Sequence, residues 1–119
     1  MSDLEHTKDN EIWKGKDYVG RIVKLYVNER DHILSGHPVM SNSFTAVYDT
    51  VQSPESVYRA AEIPCREVFF KHSSQARYNP RLYTKAIVEY NTENTEGFIV
   101  TAFPKDKEDG NIGEKLYPK

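Results

Sequence analysis

The sequence of 119 residues has few of the residues that build cross-linked or repetitive scaffolds. Its single cysteine, Cys65, excludes an internal disulfide and a cluster of several cysteines around a metal ion. Six glycines and six prolines are too few for a collagen-like or low-complexity chain. The sequence also lacks a run of the roughly 18 apolar residues that a membrane-spanning helix needs. We therefore expect one globular domain that does not enter a membrane.

An excess of positive charge is missing too. The 16 Lys and Arg residues and 18 Asp and Glu residues give a formal net charge of -2, whereas proteins that bind polyanions usually carry a clear positive excess. The charge is uneven, because residues 59–85 contain six cations and two carboxylates. This basic segment is interpreted either as a solvated surface or as a phosphate-binding face. In the second case Arg66, Lys71 and at least one of Arg77, Arg81 and Lys85 form one positive patch, and these arginines and Lys85 are the candidate contacts to a nucleic-acid phosphate.

The start of the chain is polar and acidic, unlike the basic and then apolar start of a secretory signal peptide. We therefore expect a cytoplasmic location. Residues 1–17 are predicted to form a polar N-terminal extension. Residues 18–119 are predicted to form a single α+β domain, because their number suits one hydrophobic core.

Two helices are predicted in the N-terminal half. The first starts at Asn28 as its N-cap, with Asp31 completing a capping box, and it ends at Gly36 before Pro38. The second has an apolar stripe at the spacing i, i+3, i+4 and i+7, which should be buried against a sheet that includes Val88 and Ile99 or the opposite face of the same strands. The stripe consists of Phe44, Val47, Tyr48 and Val51.

Strands are predicted where β-branched and aromatic residues concentrate, at 19–27, 66–71, 82–90 and 97–103, with a short edge strand at 114–117. The polar turn at 91–96 predicts an antiparallel hairpin. Pro54 is predicted to begin a short helical turn that carries Val57 and Tyr58. Together these elements predict an α+β fold with helices packed on one side of three or four antiparallel strands.

Three residue types in this pattern suit RNA cleavage without a metal ion or another cofactor. His37 lies at an element edge, Lys71 ends an aromatic strand and Thr101 interrupts an apolar strand. A histidine can transfer the protons of 2′-OH attack on phosphorus, and a cation and a hydroxyl can stabilise the phosphate. Each residue also has a structural explanation as a turn histidine, a strand-end charge or an ordinary strand residue. His32 and His37 are five residues apart, which is not the i, i+4 spacing of a helical metal site.

The order of short motifs resembles the small phage and bacterial relatives of the barnase, EndoU, colicin and RelE-like (BECR) ribonuclease superfamily. The motifs are HILSGHP at 32–38, a helix that ends in SP at 53–54, FFK at 69–71, IVEY at 87–90 and GFIVTAF at 97–103. The resemblance covers about residues 19–117. It implies two N-terminal helices packed on a four-stranded antiparallel sheet whose exposed face binds RNA.

The resemblance implies a metal-independent endoribonuclease of toxin or phage type that acts on transfer or messenger RNA. His37, Lys71 and Thr101 match the catalytic positions of the motifs, and Arg66 is an additional RNA contact. RNA and an antitoxin or immunity protein are the expected partners. The alternatives are a noncatalytic RNA- or protein-binding module of the same fold, or a structural domain. An enzyme needs the three catalytic residues to converge on one cleft, whereas a binding module does not.

Overall fold

A computed structural model of the chain describes residues 6–119. No helix in this part of the chain is long and apolar enough to cross a lipid bilayer. The strands and helices are β1 (Glu11–Lys16), β2 (Ile22–Tyr26), α1 (Val27–Gly36), α2 (Phe44–Gln52), β3 (Ser56–Ala60), β4 (Arg66–Lys71), β5 (Tyr83–Tyr90), β6 (Glu96–Lys105) and β7 (Ile112–Tyr117), with short 3-10 helices at Lys8–Asn10 and Pro38–Asn42.

The seven strands form one mixed sheet in the order β1-β2-β6-β5-β4-β3-β7. Strands β2 and β6 run parallel, and the other neighbouring pairs are antiparallel. The predicted α+β class is confirmed, and so is the antiparallel hairpin of β5 and β6. The predicted four-stranded antiparallel sheet is wrong, because β1, β3 and β7 extend its edges and β2 joins it in parallel.

The N-terminal part of the sheet was not expected. Strand β1 pairs with β2, so residues 11–16 belong to the sheet and not to the polar extension predicted over residues 1–17. Trp13 explains why this polar strand forms, because its ring stacks on Tyr48 of α2 at 4.3 Å between ring centres. The start of that extension, residues 1–5, lies outside the described residues.

Two predicted turns of helix are also corrected. Helix α1 begins directly after β2 with Tyr26 as its N-cap, so the capping box of Asn28 and Asp31 does not form. The segment after Pro54 is strand β3 and not a helical turn, because Val57 is buried in the core and pairs with Phe69. The edge strand predicted at 114–117 is confirmed as β7, which pairs with β3.

Helix α2 supplies the apolar layer that covers one face of the sheet. Val47 and Val51 are fully buried in one cluster with Val88 and Ile99, which confirms the predicted contact. The ends of the stripe, Phe44 and Tyr48, are half-buried and pack against the same cluster. We call this side of the sheet the helix face.

The opposite side of the sheet, which we call the far face, has a smaller apolar cluster. Its centre consists of Val68 and Phe70 on β4, with Ile87 and Tyr83 of β5 packed against them. Residues 106–111, which connect β6 to β7, fold over part of this face. We call this connection the strap. The two faces therefore differ in what covers them, a helix on one side and a short polar loop on the other.

Candidate functional site

The three sequence-predicted catalytic residues are distributed over both faces of the sheet. Lys71 lies on the helix face, paired with Thr84 of β5. Its Nζ donates a hydrogen bond to Asp49 Oδ1 of α2 at 3.0 Å. Ser73 Oγ donates to the other oxygen of the same carboxylate at 2.7 Å. Lys71 therefore joins β4 to α2, and its charge is compensated within the fold.

Thr101 lies on the far face, directly opposite Ile87. A register shift between Ile87 and Val88 places Val100 as an extra residue in β6. This bulge reverses the alternation of the strand, because each inserted residue moves the following side chains to the other face. Without the bulge, Thr101 would pair with Ala86 on the same face as Lys71. The structure therefore does not bring Lys71 and Thr101 together.

His37 does reach the side of the sheet that carries Thr101. It is the C-cap of α1, and its backbone N–H donates to the Ile33 carbonyl at 2.7 Å. Its ring stacks on Phe103 with 4.8 Å between ring centres and 25° between planes. Phe103 follows Thr101 by two residues and lies on the far face, where it pairs with Lys85.

The path of the chain explains this meeting of α1 with the end of β6. Strand β2 pairs with β6 only from Glu96 to Phe98. The chain then turns into α1, which contacts β6. The end of α1 thus brings His37 beside the second half of β6. His37 lies against Phe103, two residues along β6 from Thr101 on the far face, whereas Lys71 lies on the helix face.

Lys105 and Lys85 both lie at this end of the far face, Lys105 opposite Tyr83 and Lys85 opposite Phe103. Lys85 is only 4% exposed, although it was a candidate member of the predicted surface patch. Its Nζ donates to the carbonyl oxygens of Asp109 at 2.8 Å and Gly110 at 2.9 Å. It also lies 5.5 Å from the centre of the Phe103 ring. Burial and the charge of Lys105 lower the pKa of Lys85, while Asp109 acts in the opposite direction.

The strap that supplies these carbonyl oxygens is attached to the far face by polar contacts. Glu108 accepts hydrogen bonds from Ser56 Oγ and Tyr58 OH, both at 2.8 Å. Burial acts to raise the pKa of Glu108, but these bonds and one from Tyr83 lower it. Burial and the bond to Glu108 raise the pKa of Tyr83 to about 12.

Gly110 allows the strap to approach Lys85 closely. Its φ of 90° lies in the left-handed region that favours glycine. A Cβ at this position would lie 2.7 Å from Lys85 Nζ.

The strap with its Glu108 and the stacking residue Phe103 were not predicted from the sequence. An aspartate–glycine pair at 109–110 and an aromatic residue two positions after Thr101 were the available signals.

The predicted positive patch is divided between different surroundings. Arg66 lies on the far face and its Nε donates to Glu89 at 2.9 Å, whereas Lys71 lies on the helix face. Arg77 and Arg81 are exposed in the loop between β4 and β5. Since Arg66 and Lys71 lie on opposite faces of the sheet and Lys85 is buried, these residues do not form the single surface that the charge count predicted.

A pocket of about 180 Å³ lies at the other end of β6. Phe98 and two carboxylates, Glu89 and Glu96, contribute to its lining. Arg66 and Lys24 neutralise these carboxylates, with Lys24 Nζ 3.1 Å from Glu96. The carboxylates make this pocket less favourable for a phosphate than the end of the far face that contains Lys85.

Within residues 6–119, no group of three or more His, Cys, Asp or Glu side chains is arranged to hold a metal ion. Comparison of the chain with protein-family models gives no match, and comparison with curated proteins gives none either.

Proposed function

We propose that this protein is a metal-independent endoribonuclease whose active site lies on the far face, at the end of β6. The observation that carries this proposal is the stacking of His37 on Phe103, at 4.8 Å between ring centres. The stack fixes an imidazole beside the strand that carries Thr101. Lys71 is not part of this proposed site, because it lies on the helix face.

The proposed reaction uses the ribose 2′-OH as the nucleophile. A bond forms between the 2′-oxygen and phosphorus, and the bond from phosphorus to the 5′-oxygen breaks. The products are a 2′,3′-cyclic phosphate and a 5′-hydroxyl. His37 accepts the 2′-OH proton, and solvent protonates the leaving 5′-oxygen. The Thr101 hydroxyl donates a hydrogen bond to a nonbridging phosphate oxygen, where negative charge develops.

A noncatalytic RNA- or protein-binding module is the second candidate function. The specific observation in its favour is that groups of the chain itself bind both the predicted catalytic lysine, Lys71, and the lysine opposite Phe103, Lys85. Asp49 holds Lys71, and two strap carbonyls hold Lys85. An active nuclease needs a cation or donor for phosphate charge, whereas a module that binds through another surface does not.

The proposal is tested by cleavage of total transfer and messenger RNA in the presence of a chelator. We expect products with 2′,3′-cyclic phosphate ends, and no cleavage at a 2′-deoxy nucleotide. The His37→Gln variant should be about 10² to 10⁴ times slower, the usual contribution of a general acid or base. His32→Gln is the matched control, because His32 is exposed on the same helix. Thr101→Val tests the hydroxyl at nearly constant volume.

Three results would argue against the nuclease. These are loss of cleavage on chelation, full activity in the His37→Gln protein, or an equal loss in the His32→Gln control. RNA binding without cleavage, measured with the same RNA, would support the binding module. The antitoxin or immunity protein expected from the sequence remains part of the proposal, and co-purification with a tagged form of the chain tests it.

A further inference from the structure

Lys85 has an unusual set of partners for a buried lysine. Both oxygen atoms that its ammonium contacts belong to neutral peptide groups, those of Asp109 and Gly110. The carboxylate of Asp109 is bonded to Lys105 instead, at 3.0 Å. Buried charges in proteins are normally paired with an opposite charge. The amine of Lys85 therefore has hydrogen-bond acceptors but no bonded anion.

The position of Lys85 fits an anion bound at the proposed active site. It lies directly opposite Phe103, the residue that stacks on His37. Thr101 is its diagonal neighbour on the same face, since Thr101 pairs with Ile87. Diagonal neighbours in a sheet are about 7 to 8 Å apart, a distance that a lysine side chain can reach across. A phosphate beside Thr101 and His37 would thus be within reach of Lys85.

The strap that covers Lys85 is held by polar contacts and has the features of a segment that can open. Asp106, Lys107 and residues 109–111 are exposed, and the contacts of the strap are polar: Glu108 with Ser56 and Tyr58, and Lys85 with two carbonyls. Segments with little apolar burial open at low cost in free energy. The two carbonyl oxygens present partial negative charge to Lys85 as two nonbridging phosphate oxygens would.

We propose that Lys85 is the phosphate-binding cation of the far-face site, and that the strap is an internal inhibitor whose carbonyl oxygens occupy the place of the RNA phosphate. This inference rests on the proposed nuclease function. The strap opens when RNA binds, and the phosphate replaces the two carbonyls as the partner of Lys85. Burial lowers the pKa of Lys85, and an anionic partner restores the stability of its charged form.

The first experiment compares two lysines on opposite faces. Lys85→Met should lower kcat/KM for RNA cleavage about 10²-fold, the loss typical for one donor to a developing oxyanion. Lys71→Met is the matched comparison, because it removes an amine that lies on the helix face and is paired with Asp49. Its cleavage rate should stay within about threefold of the wild type once both variants are shown to be folded by circular dichroism.

The second experiment opens the strap without changing Lys85. Glu108→Gln weakens the bonds from Ser56 and Tyr58, so cleavage should become about fivefold faster, the factor that one such bond is worth. The Lys85 amine should also react faster with an acylating reagent, as measured by peptide mass mapping. A noncleavable RNA with 2′-deoxy nucleotides should then protect that amine.

The outcomes separate this inference from the proposed function. If the wild type cleaves RNA and Lys85→Met cleaves equally well, the inference is overturned while the nuclease function stands. If Lys85→Met does not fold, the Glu108→Gln protein decides: an unchanged rate and an unprotected Lys85 amine in the RNA complex overturn the inference. If the wild type and Glu108→Gln proteins both bind RNA without cleaving it, the proposed nuclease function is overturned, and this inference is overturned with it.

Discussion

Buried charged groups have different kinds of partner on the two faces of the sheet. On the helix face, Arg21 is held by Asp17 at 2.7 Å and by Glu67 at 2.8 Å, and it lies over the ring of Tyr90 at 3.8 Å. Tyr90 OH donates to Asp17 at 2.6 Å, and burial together with this bond raises the pKa of Tyr90. Each charge in this network has an opposite charge as its partner.

On the far face, Lys85 has only neutral carbonyl oxygens as its hydrogen-bond partners. The difference indicates that the ionic network of the helix face serves stability, because its groups satisfy one another. The far face has an ammonium group whose bonded partners can be replaced by an anion. A buried cation with no bonded anion is therefore a candidate for function, whereas the ion-paired groups of the helix face contribute to stability.

The largest effect expected from this difference is on stability. Arg21→Met should lower the free energy of unfolding by about 3 to 5 kcal/mol, because it leaves Asp17 and Glu67 without their cation in a buried setting. Arg77→Met is the matched control, since Arg77 is exposed in the loop before β5 and should change stability by less than about 0.5 kcal/mol. Urea unfolding measures both. Equal losses in the two proteins would mean that the network does not hold the helix face together.

A smaller effect is expected at Phe103, which we assign to positioning. Phe103→Leu keeps an apolar side chain but removes the ring on which His37 stacks. Ring contacts of this kind are worth about 0.5 to 1.5 kcal/mol, which corresponds to a loss of about two- to tenfold in cleavage rate. An unchanged rate would show that the stack does not position His37.

The smallest effect is expected when the pH is lowered, which should weaken the attachment of the strap through Glu108. The pKa of Glu108 is lower in the folded chain than its ordinary value, so its bonds to the far face contribute stability above the ordinary pKa and are lost as pH falls through the folded pKa. NMR resonances of Gly110 should therefore change only as pH falls below the ordinary glutamate pKa of about 4.3. In the Glu108→Gln protein this change should be absent. Its persistence there would assign the transition to another carboxylate.

Much of the sheet was predictable from local sequence. Strand β4 and the hairpin of β5 and β6 have β-branched and aromatic residues in continuous runs, and the stripe on α2 has clear helical spacing. Strand β1 was not predictable, because Lys14 and Lys16 are exposed and its main apolar contact is that of Trp13 with α2. Its existence depends on tertiary packing, which local propensity does not contain.

The site was only half predictable, and one inserted residue explains why. His37 and Thr101 were selected by residue type and motif, and His37 stacks on Phe103, which shares the far face with Thr101. Lys71 was selected in the same way, but the bulge at Val100 turns Thr101 away from it. A bulge changes the face of every later residue in a strand and leaves no clear signal in the sequence. For the same reason the proximity of Lys85 to Phe103 could not be anticipated.

The most direct test is NMR titration of the protein with a short RNA that has 2′-deoxy nucleotides and so cannot be cleaved. We expect chemical-shift changes at Thr101, Phe103, Lys85 and Gly110, together with the ring of His37. Lys71 and the Asp17–Arg21–Glu67 network on the helix face should keep their shifts. Changes confined to the helix face, or no changes at all at saturating RNA, would contradict an RNA-binding site on the far face.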